Sequence, residues 1–78
     1  MKVGDKVEIV AISKKDAFYS KRHQFIGATG TLEYYERESG PWVGANLTNL
    51  INKEGEPLPL TGTRIYYYAF LRVILRKI

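Results

Sequence analysis

Cysteine is absent from this chain of 78 residues. A disulfide framework and a metal site built from thiolates are therefore excluded. No apolar run approaches the roughly 20 residues that a membrane-spanning helix needs, and the segment Met1–Asp5 lacks the apolar stretch of a signal peptide. We expect a single domain over residues 1–78, located in the cytoplasm and without a membrane partner.

Side chains that commonly perform catalysis are scarce. His23 is the single histidine, and it follows Lys21 and Arg22, whose positive charges oppose the binding of a metal cation. None of the three serines stands in a Gly-x-Ser-x-Gly setting. We predict a protein that is not an enzyme and that holds neither a cofactor nor a metal.

Acidic residues are missing from one end of the chain. Residues 57–78 contain four Lys and Arg but no Asp or Glu, whereas residues 33–56 contain two basic and five acidic residues. Residues 1–32 are again basic, and the formal net charge is +4. If the two ends pair in space, one face is positive and attracts a polyanion. The alternative is that a modest positive charge only keeps a small protein in solution.

The chain does contain a repeated pattern of short β segments. Apolar and polar residues alternate with period two in the first segment, and later segments are rich in β-branched and aromatic residues. Strands are predicted at residues 6–12, 28–37, 42–47, 63–68 and 72–75. The competing interpretation of the last part is a helix over residues 66–78, because Tyr67, Leu71 and Ile74 also have helical spacing.

Loops and turns separate these strands. Residues 13–24 form a long first loop with room for a short helical turn, and residues 48–62 form a second loop. Glu38–Pro41 has the composition of a hairpin turn, and Ala69–Leu71 is predicted as a 3₁₀ turn. Alternation places Tyr34 on the face of Leu32. The predicted core contains Val7, Ile9, Leu32, Val43, Leu47, Ile65, Leu71 and Val73.

Two glycines precede the second strand, in the run Phe25-Ile26-Gly27-Ala28-Thr29-Gly30-Thr31-Leu32. Glycine adopts φ > 0 without steric cost and lets another backbone approach closely, so Gly27 and Gly30 are predicted to shape this loop. The pattern Phe25-x-Gly27-x-x-Gly30-x-Leu32 after a strand resembles KOW-type and other Src-homology-3-like (SH3-like) small barrels. The likeness extends more loosely to residues 42–47 and 65–75.

This resemblance implies a mainly β fold. The expected architecture is a single five-stranded antiparallel SH3-like (KOW-like) barrel, with a long first loop and a 3₁₀ turn before the last strand. KOW-containing proteins commonly bind RNA, DNA or components of the transcription and translation machinery, and residues such as His23, Gln24 and Thr29 would lie near the contact surface. A KOW motif has a short glycine-bearing link after its first strand. Here residues 13–24 intervene, which is nearer to the general SH3-like topology.

Basic residues interleaved with aromatic ones suit nucleic acid, because cations neutralise phosphates and aromatic faces stack on unpaired bases. Residues 14–23 have this composition, and Trp42 and the basic end of the chain extend it. We predict a binding module for nucleic acid, or for a protein of the transcription or translation machinery. The candidate residues are Lys14, Lys15, Tyr19, Lys21, Arg22, Trp42, Arg72 and Arg76.

The aromatic residues also have structural interpretations. Phe18 is expected to anchor the first loop, Tyr19 suits either role, and Trp42 is able to pack across the hairpin on Tyr35. A second function fits the same residues. The protein would be a docking module that binds a peptide or a partner surface through Trp42 and the tyrosines, including Tyr66–Tyr68, because polyproline ligands dock on aromatic grooves.

Overall fold

Four antiparallel strands form a closed ring in the computed structural model, which describes residues 1–58 and 69–78. The strands are β1 (Lys6–Ile12), β2 (Thr29–Arg37), β3 (Val43–Ile51) and β4 (Ala69–Lys77). Each strand pairs with the next, and β4 pairs with β1 to close the ring. The mainly β, antiparallel prediction is confirmed. The strand predicted at residues 63–68, with Ile65 of the predicted core, lies outside the described residues.

In the structure the first loop spans residues 13–28 rather than the predicted 13–24, and it carries the helical content of the described chain. A 3₁₀ turn spans Tyr19–Lys21, and the one-turn helix α1 follows at Arg22–Phe25. Within residues 1–58 and 69–78, no helix has the length and apolar character needed to cross a membrane.

The start of β4 corrects one prediction. Ala69–Leu71 is not a 3₁₀ turn, and residues 69–77 are not helical, because their backbone pairs with β3 as Leu47↔Ala69, Asn46↔Phe70 and Ala45↔Leu71. Phe70 is 40% exposed and Leu71 is fully buried, which is the alternation of a strand. Helical and strand periods both fit this short apolar run, and pairing with a neighbouring strand decides between them.

The end of β3 corrects a second prediction, since residues 48–51 belong to the strand and not to a loop. Asn49 has φ +54°, a conformation that asparagine adopts more readily than most residues. The pairing changes register here, between Thr29↔Ile51 and Thr31↔Thr48. Leu50 is consequently buried, and its carbonyl accepts a hydrogen bond from the Leu58 N–H (3.0 Å).

A bulge also reverses the predicted facing of the second half of β2. The β2–β3 pairing changes register between Leu32 and Tyr34. An extra residue inverts the alternation that follows it. Tyr34 is therefore 48% exposed rather than on the face of Leu32, and Tyr35 packs against the core instead. A similar irregularity between Ile9 and Ala11 accompanies a buried Ile12.

The core fills the inside of the ring. Val43, also predicted in the core, is half-buried and packs against it. The other predicted members among the described residues are fully buried: Val7, Ile9, Leu32, Leu47, Leu71 and Val73. Phe25 of α1 adds a large buried ring from the first loop. The predicted anchoring role of Phe18 is confirmed, because its ring packs on that of Phe25 with centroids 5.5 Å apart.

A buried carboxylate ties the first loop to β4. Asp16 is 6% exposed, and its Oδ1 accepts a hydrogen bond from the Phe18 N–H (2.8 Å) while its Oδ2 accepts one from the Arg72 N–H (2.7 Å). The Ser13 N–H donates to the Arg72 carbonyl (2.9 Å). Both main-chain polar groups of Arg72 are thereby paired with the first loop, which fixes the loop on the ring of strands.

The two glycines of the sequence motif have different roles. Gly27 has φ +89° at the end of the first loop, and its N–H donates to the Ile9 carbonyl (2.8 Å). Gly30 lies inside β2 opposite Val7. A Cβ on Gly30 would approach the Thr48 carbonyl oxygen to 3.0 Å. Gly27 therefore shapes the loop as predicted, whereas Gly30 permits the close approach of β3.

Replacement of Asp16 tests the anchor. Asp16→Ala leaves two N–H groups without their acceptor, and each loss costs about 1–3 kcal/mol. We expect a clear fall in the free energy of unfolding, measured by urea denaturation, and a smaller fall for Asp16→Asn, which retains one acceptor. Glu54→Ala, an exposed change in the turn after β3, is the control and should stay within about 0.5 kcal/mol. Equal stability of Asp16→Ala and the control would contradict the anchoring role.

Replacement of Gly27 tests the backbone requirement of the motif. Gly27→Ala forces an L-residue into a left-handed conformation, which costs roughly 1–2 kcal/mol. Asparagine tolerates this region better, so Gly27→Asn should lose less stability than Gly27→Ala. The thermal unfolding midpoints of the two variants provide the comparison, and identical midpoints for wild type and Gly27→Ala would refute the argument.

Candidate functional site

A cleft of about 420 Å³ lies between the first loop and the turn of the β2–β3 hairpin. Four of the eight candidate residues line it together: Lys14, Lys15, Tyr19 and Trp42. Ile12, Ser13, Glu38 and Ser39 complete the lining. The cleft thus joins two parts of the chain that are distant in sequence and combines cationic with aromatic side chains.

The first loop positions one wall of the cleft. The Asp16 N–H donates to the Ser13 carbonyl (3.0 Å), and the Lys15 N–H donates to Ser13 Oγ (3.1 Å). Lys14 and Lys15 therefore sit in a tight turn just before the Asp16 anchor, with exposed side chains. Tyr19 follows, half-buried and packed against the core.

The hairpin turn positions the other wall. The Glu38 N–H donates to the Trp42 carbonyl (3.0 Å), and the Trp42 N–H donates to the Ser39 carbonyl (3.1 Å). These bonds confirm the predicted turn and leave Trp42 half-buried at the cleft. Tyr35 lies opposite Ala45 in the hairpin register, so the predicted packing of Trp42 across the hairpin on Tyr35 is wrong.

Two more candidates lie beside Tyr19. The Arg22 guanidinium carbon is 4.3 Å from the centroid of the Tyr19 ring, and its Nη1–H donates to the Tyr19 carbonyl (3.1 Å). Lys21 is exposed on the 3₁₀ turn, and His23 is exposed on α1. Arg22 therefore places a cation on the tyrosine that forms part of the cleft.

The remaining two candidates, Arg72 and Arg76 on β4, have acidic neighbours. Arg72 Nε lies 3.6 Å from Glu38 Oε2, and the guanidinium of Arg76 pairs with the Glu8 carboxylate. The basic ends do pair in space, as β1 with β4, but these carboxylates offset much of the expected positive face. None of the ion pairs among the described residues includes Lys14, Lys15, Lys21 or Arg22.

The other two carboxylates of the hairpin, those of Glu33 and Glu36, accept hydrogen bonds outside the cleft. The Tyr34 hydroxyl donates to Glu36 Oε2 (2.9 Å), and this hydrogen bond, together with the negative charge of Glu36, raises the pKa of Tyr34 above its ordinary value. Glu33 Oε2 accepts a hydrogen bond from the Thr48 hydroxyl (3.3 Å). Of the three hairpin glutamates, only Glu38 is among the residues that line the cleft.

Sequence reasoning missed Glu38 and Ser39 as members of the site. In the sequence, Glu38 indicates only a turn, and nothing relates residues 13–15 to residues 38–42. Their meeting depends on the tertiary anchor at Arg72. Among the described residues, no group of three or more His, Asp or Glu side chains is arranged to hold a metal ion.

Comparisons with protein-family models, with curated proteins and with solved structures find no match to this chain. The geometry of the cleft is therefore the basis for the function proposed below.

Proposed function

We propose that this protein is a non-catalytic binding module that takes a single strand of nucleic acid, RNA or DNA, in the cleft. The observation that carries the proposal is the presence of Tyr19 and Trp42 in the same cleft as Lys14 and Lys15. Unpaired bases stack on aromatic side chains, while ammonium groups neutralise the phosphates that connect them. A paired duplex keeps its base faces covered, so the aromatic walls favour a single strand.

The positive charge of the proposed binding surface extends from the cleft along the first loop. Lys21 and Arg22 follow the cleft lysines on one continuous segment, and Arg22 stacks on Tyr19. Arg72 and Arg76 contribute less, because Glu38 and Glu8 already offset their charges. The proposed phosphate contacts are therefore those of residues 14–22, with a base stacked on Trp42 and the strand passing beside Tyr19, whose ring Arg22 covers on one face.

We also propose that the ring sheet is an SH3-like barrel. The order of strand, long anchored loop, hairpin and closing strand supports this assignment, as does the antiparallel pairing of the first strand with the last. The sequence predicts the fifth strand of such a barrel at residues 63–68, outside the described residues.

Docking of a peptide is the second candidate function, and one specific observation favours it. The cleft is a groove between a loop and a hairpin with Trp42 and Tyr19 as aromatic walls, and such grooves take extended proline-rich peptides. Binding would then depend on the aromatic walls more than on Lys14 and Lys15. A pull-down from nuclease-treated lysate separates the two functions, because a partner retained after nuclease supports docking.

The salt dependence of binding tests the cationic part of the cleft. We expect the double variant Lys14→Gln/Lys15→Gln to bind a fluorescein-labelled oligothymidylate more weakly, with fluorescence anisotropy as the measurement. The slope of log affinity against log salt should fall by about 0.7 for each lysine that no longer neutralises a phosphate, or by about 1.4 for the pair.

The double variant Lys6→Gln/Lys77→Gln is the control of equal charge change, because Lys77 lies opposite Val7, at the same end of β1 as Lys6. Lys6 and the cleft residue Ile12 are at opposite ends of β1, about 20 Å apart at a rise of roughly 3.3 Å per residue. Its salt slope should match that of the wild type. Equal slopes for both double variants would remove the cleft lysines from the binding site.

Truncation of Trp42 tests the stacking part. Trp42→Ala should lose about 1–3 kcal/mol of binding free energy, the contribution of one base stacked on an aromatic ring. Tyr34→Ala, which removes an aromatic ring exposed outside the cleft, should keep the wild-type affinity in the same anisotropy assay. A similar loss in both variants would argue against the cleft.

A further inference from the structure

Glu38 is an unexpected neighbour for a strand of phosphates, and its placement is well defined. Its backbone N–H is bonded to the Trp42 carbonyl, so the carboxylate and the indole are held on the same short turn. Its side chain is near Gly44, where a Cβ would lie 3.2 Å from Glu38 Oε2. The absence of a side chain at Gly44 leaves room first for the Phe70 ring, which a Cβ would approach to 2.5 Å, and then for the carboxylate.

Arg72 is the cationic neighbour of the Glu38 side chain. Its own main chain is held by Asp16 and Ser13, and its guanidinium lies 5.7 Å from the centroid of the Phe70 ring. The separation of 3.6 Å between Arg72 Nε and Glu38 Oε2 is longer than a hydrogen bond. Arg72 therefore attracts the carboxylate without a direct hydrogen bond, which leaves the carboxylate oxygens able to accept hydrogen bonds.

We propose that Glu38 makes the cleft selective for guanine, an inference that rests on the proposed binding of a single strand. An ionised carboxylate only accepts hydrogen bonds. The Watson–Crick edge of guanine carries two adjacent donors, the N1–H and the N2 amino group, which match two carboxylate oxygens in a bidentate pair. The base would stack on Trp42 with this edge towards Glu38.

The other bases fit the carboxylate less well. Adenine and cytosine present one amino group beside an unprotonated ring nitrogen, and thymine presents one N–H between two carbonyl oxygens. The lone pairs of these acceptors repel a carboxylate, and they leave it partly unpaired when water is displaced. Glu38 therefore disfavours these bases while it binds guanine.

Titration of the wild-type protein with a matched set of oligonucleotides tests the selectivity. The probes are an oligothymidylate and the same oligonucleotide with its central base replaced by guanine, adenine, cytosine or hypoxanthine. Trp42 is the only tryptophan, so its fluorescence reports on the cleft directly. A bidentate pair favours the matching base over other bases by roughly 5- to 150-fold in affinity. The affinity for the guanine probe should exceed that for the other probes by a factor in this range. Hypoxanthine, which lacks the 2-amino group, should show little of this preference.

Two variants assign the selectivity to one side chain. Glu38→Gln should lower the preference for guanine to below about threefold, since the amide opposes a donor to one of the two guanine donors. Its affinity for plain oligothymidylate should rise, because a negative charge near the phosphates is removed. Glu36→Gln, on the same hairpin but outside the lining of the cleft, should retain the preference for guanine. Circular dichroism of both variants checks that the fold is kept.

The outcomes separate this inference from the proposed function. Equal binding of all five probes by the wild type overturns the guanine selectivity and leaves the single-strand function standing. A preference for guanine that persists in Glu38→Gln overturns the role of Glu38. Failure of every probe to bind at low salt overturns the proposed function, and the selectivity with it.

Discussion

The pairing of β4 with β1 is the interaction on which the rest of this structure depends. It joins residues near the two ends of the described chain, with Val7 opposite Lys77 and Ile12 opposite Val73. Closure brings the inner side chains of all four strands around one core and leaves fewer unpaired backbone groups at the edges of the sheet. It also brings Arg72 beside the end of β1, where the first loop begins.

The cleft is a consequence of that closure. Asp16 reaches the Arg72 N–H only because β4 lies next to β1. The Arg72 side chain in turn presents its guanidinium to Glu38 on the hairpin. One strand position thus connects both walls of the cleft, through its main chain on one side and its side chain on the other. A buried carboxylate with two backbone donors makes this connection directional, which apolar packing alone does not achieve.

The sequence predicts the elements of this fold better than their facing. Alternation correctly located β1 and most of β2, because both segments contain β-branched residues between polar flanks. It failed for the facing of Tyr34, which a bulge decides, and for the element type at residues 48–51 and 69–71, which strand pairing decides. A bulge is set by the partner strand and the core, so a period-two pattern does not reveal it.

The sequence likewise predicts one part of the candidate site and not the other. Lys14, Lys15 and Tyr19 are close in sequence, and their composition alone marks them as a candidate binding segment. Their position opposite Trp42 and Glu38 depends on contacts between distant segments. The charges of Arg72 and Arg76 were likewise visible in the sequence, but their pairing with Glu38 and Glu8 became clear only from the register of the closed ring.

Ring closure between strands so far apart in the chain has a consequence for folding. Local contacts stabilise the β2–β3 hairpin early, whereas β1 acquires its second partner only after a long loop has been closed, at an entropic cost that grows with its length. Until β4 has been synthesised, one edge of β1 has no partner strand. The unpaired edge exposes the nascent chain to association with other strands. Because Arg72 belongs to β4, the cleft is assembled in this same late step, so a partly folded chain lacks the binding site.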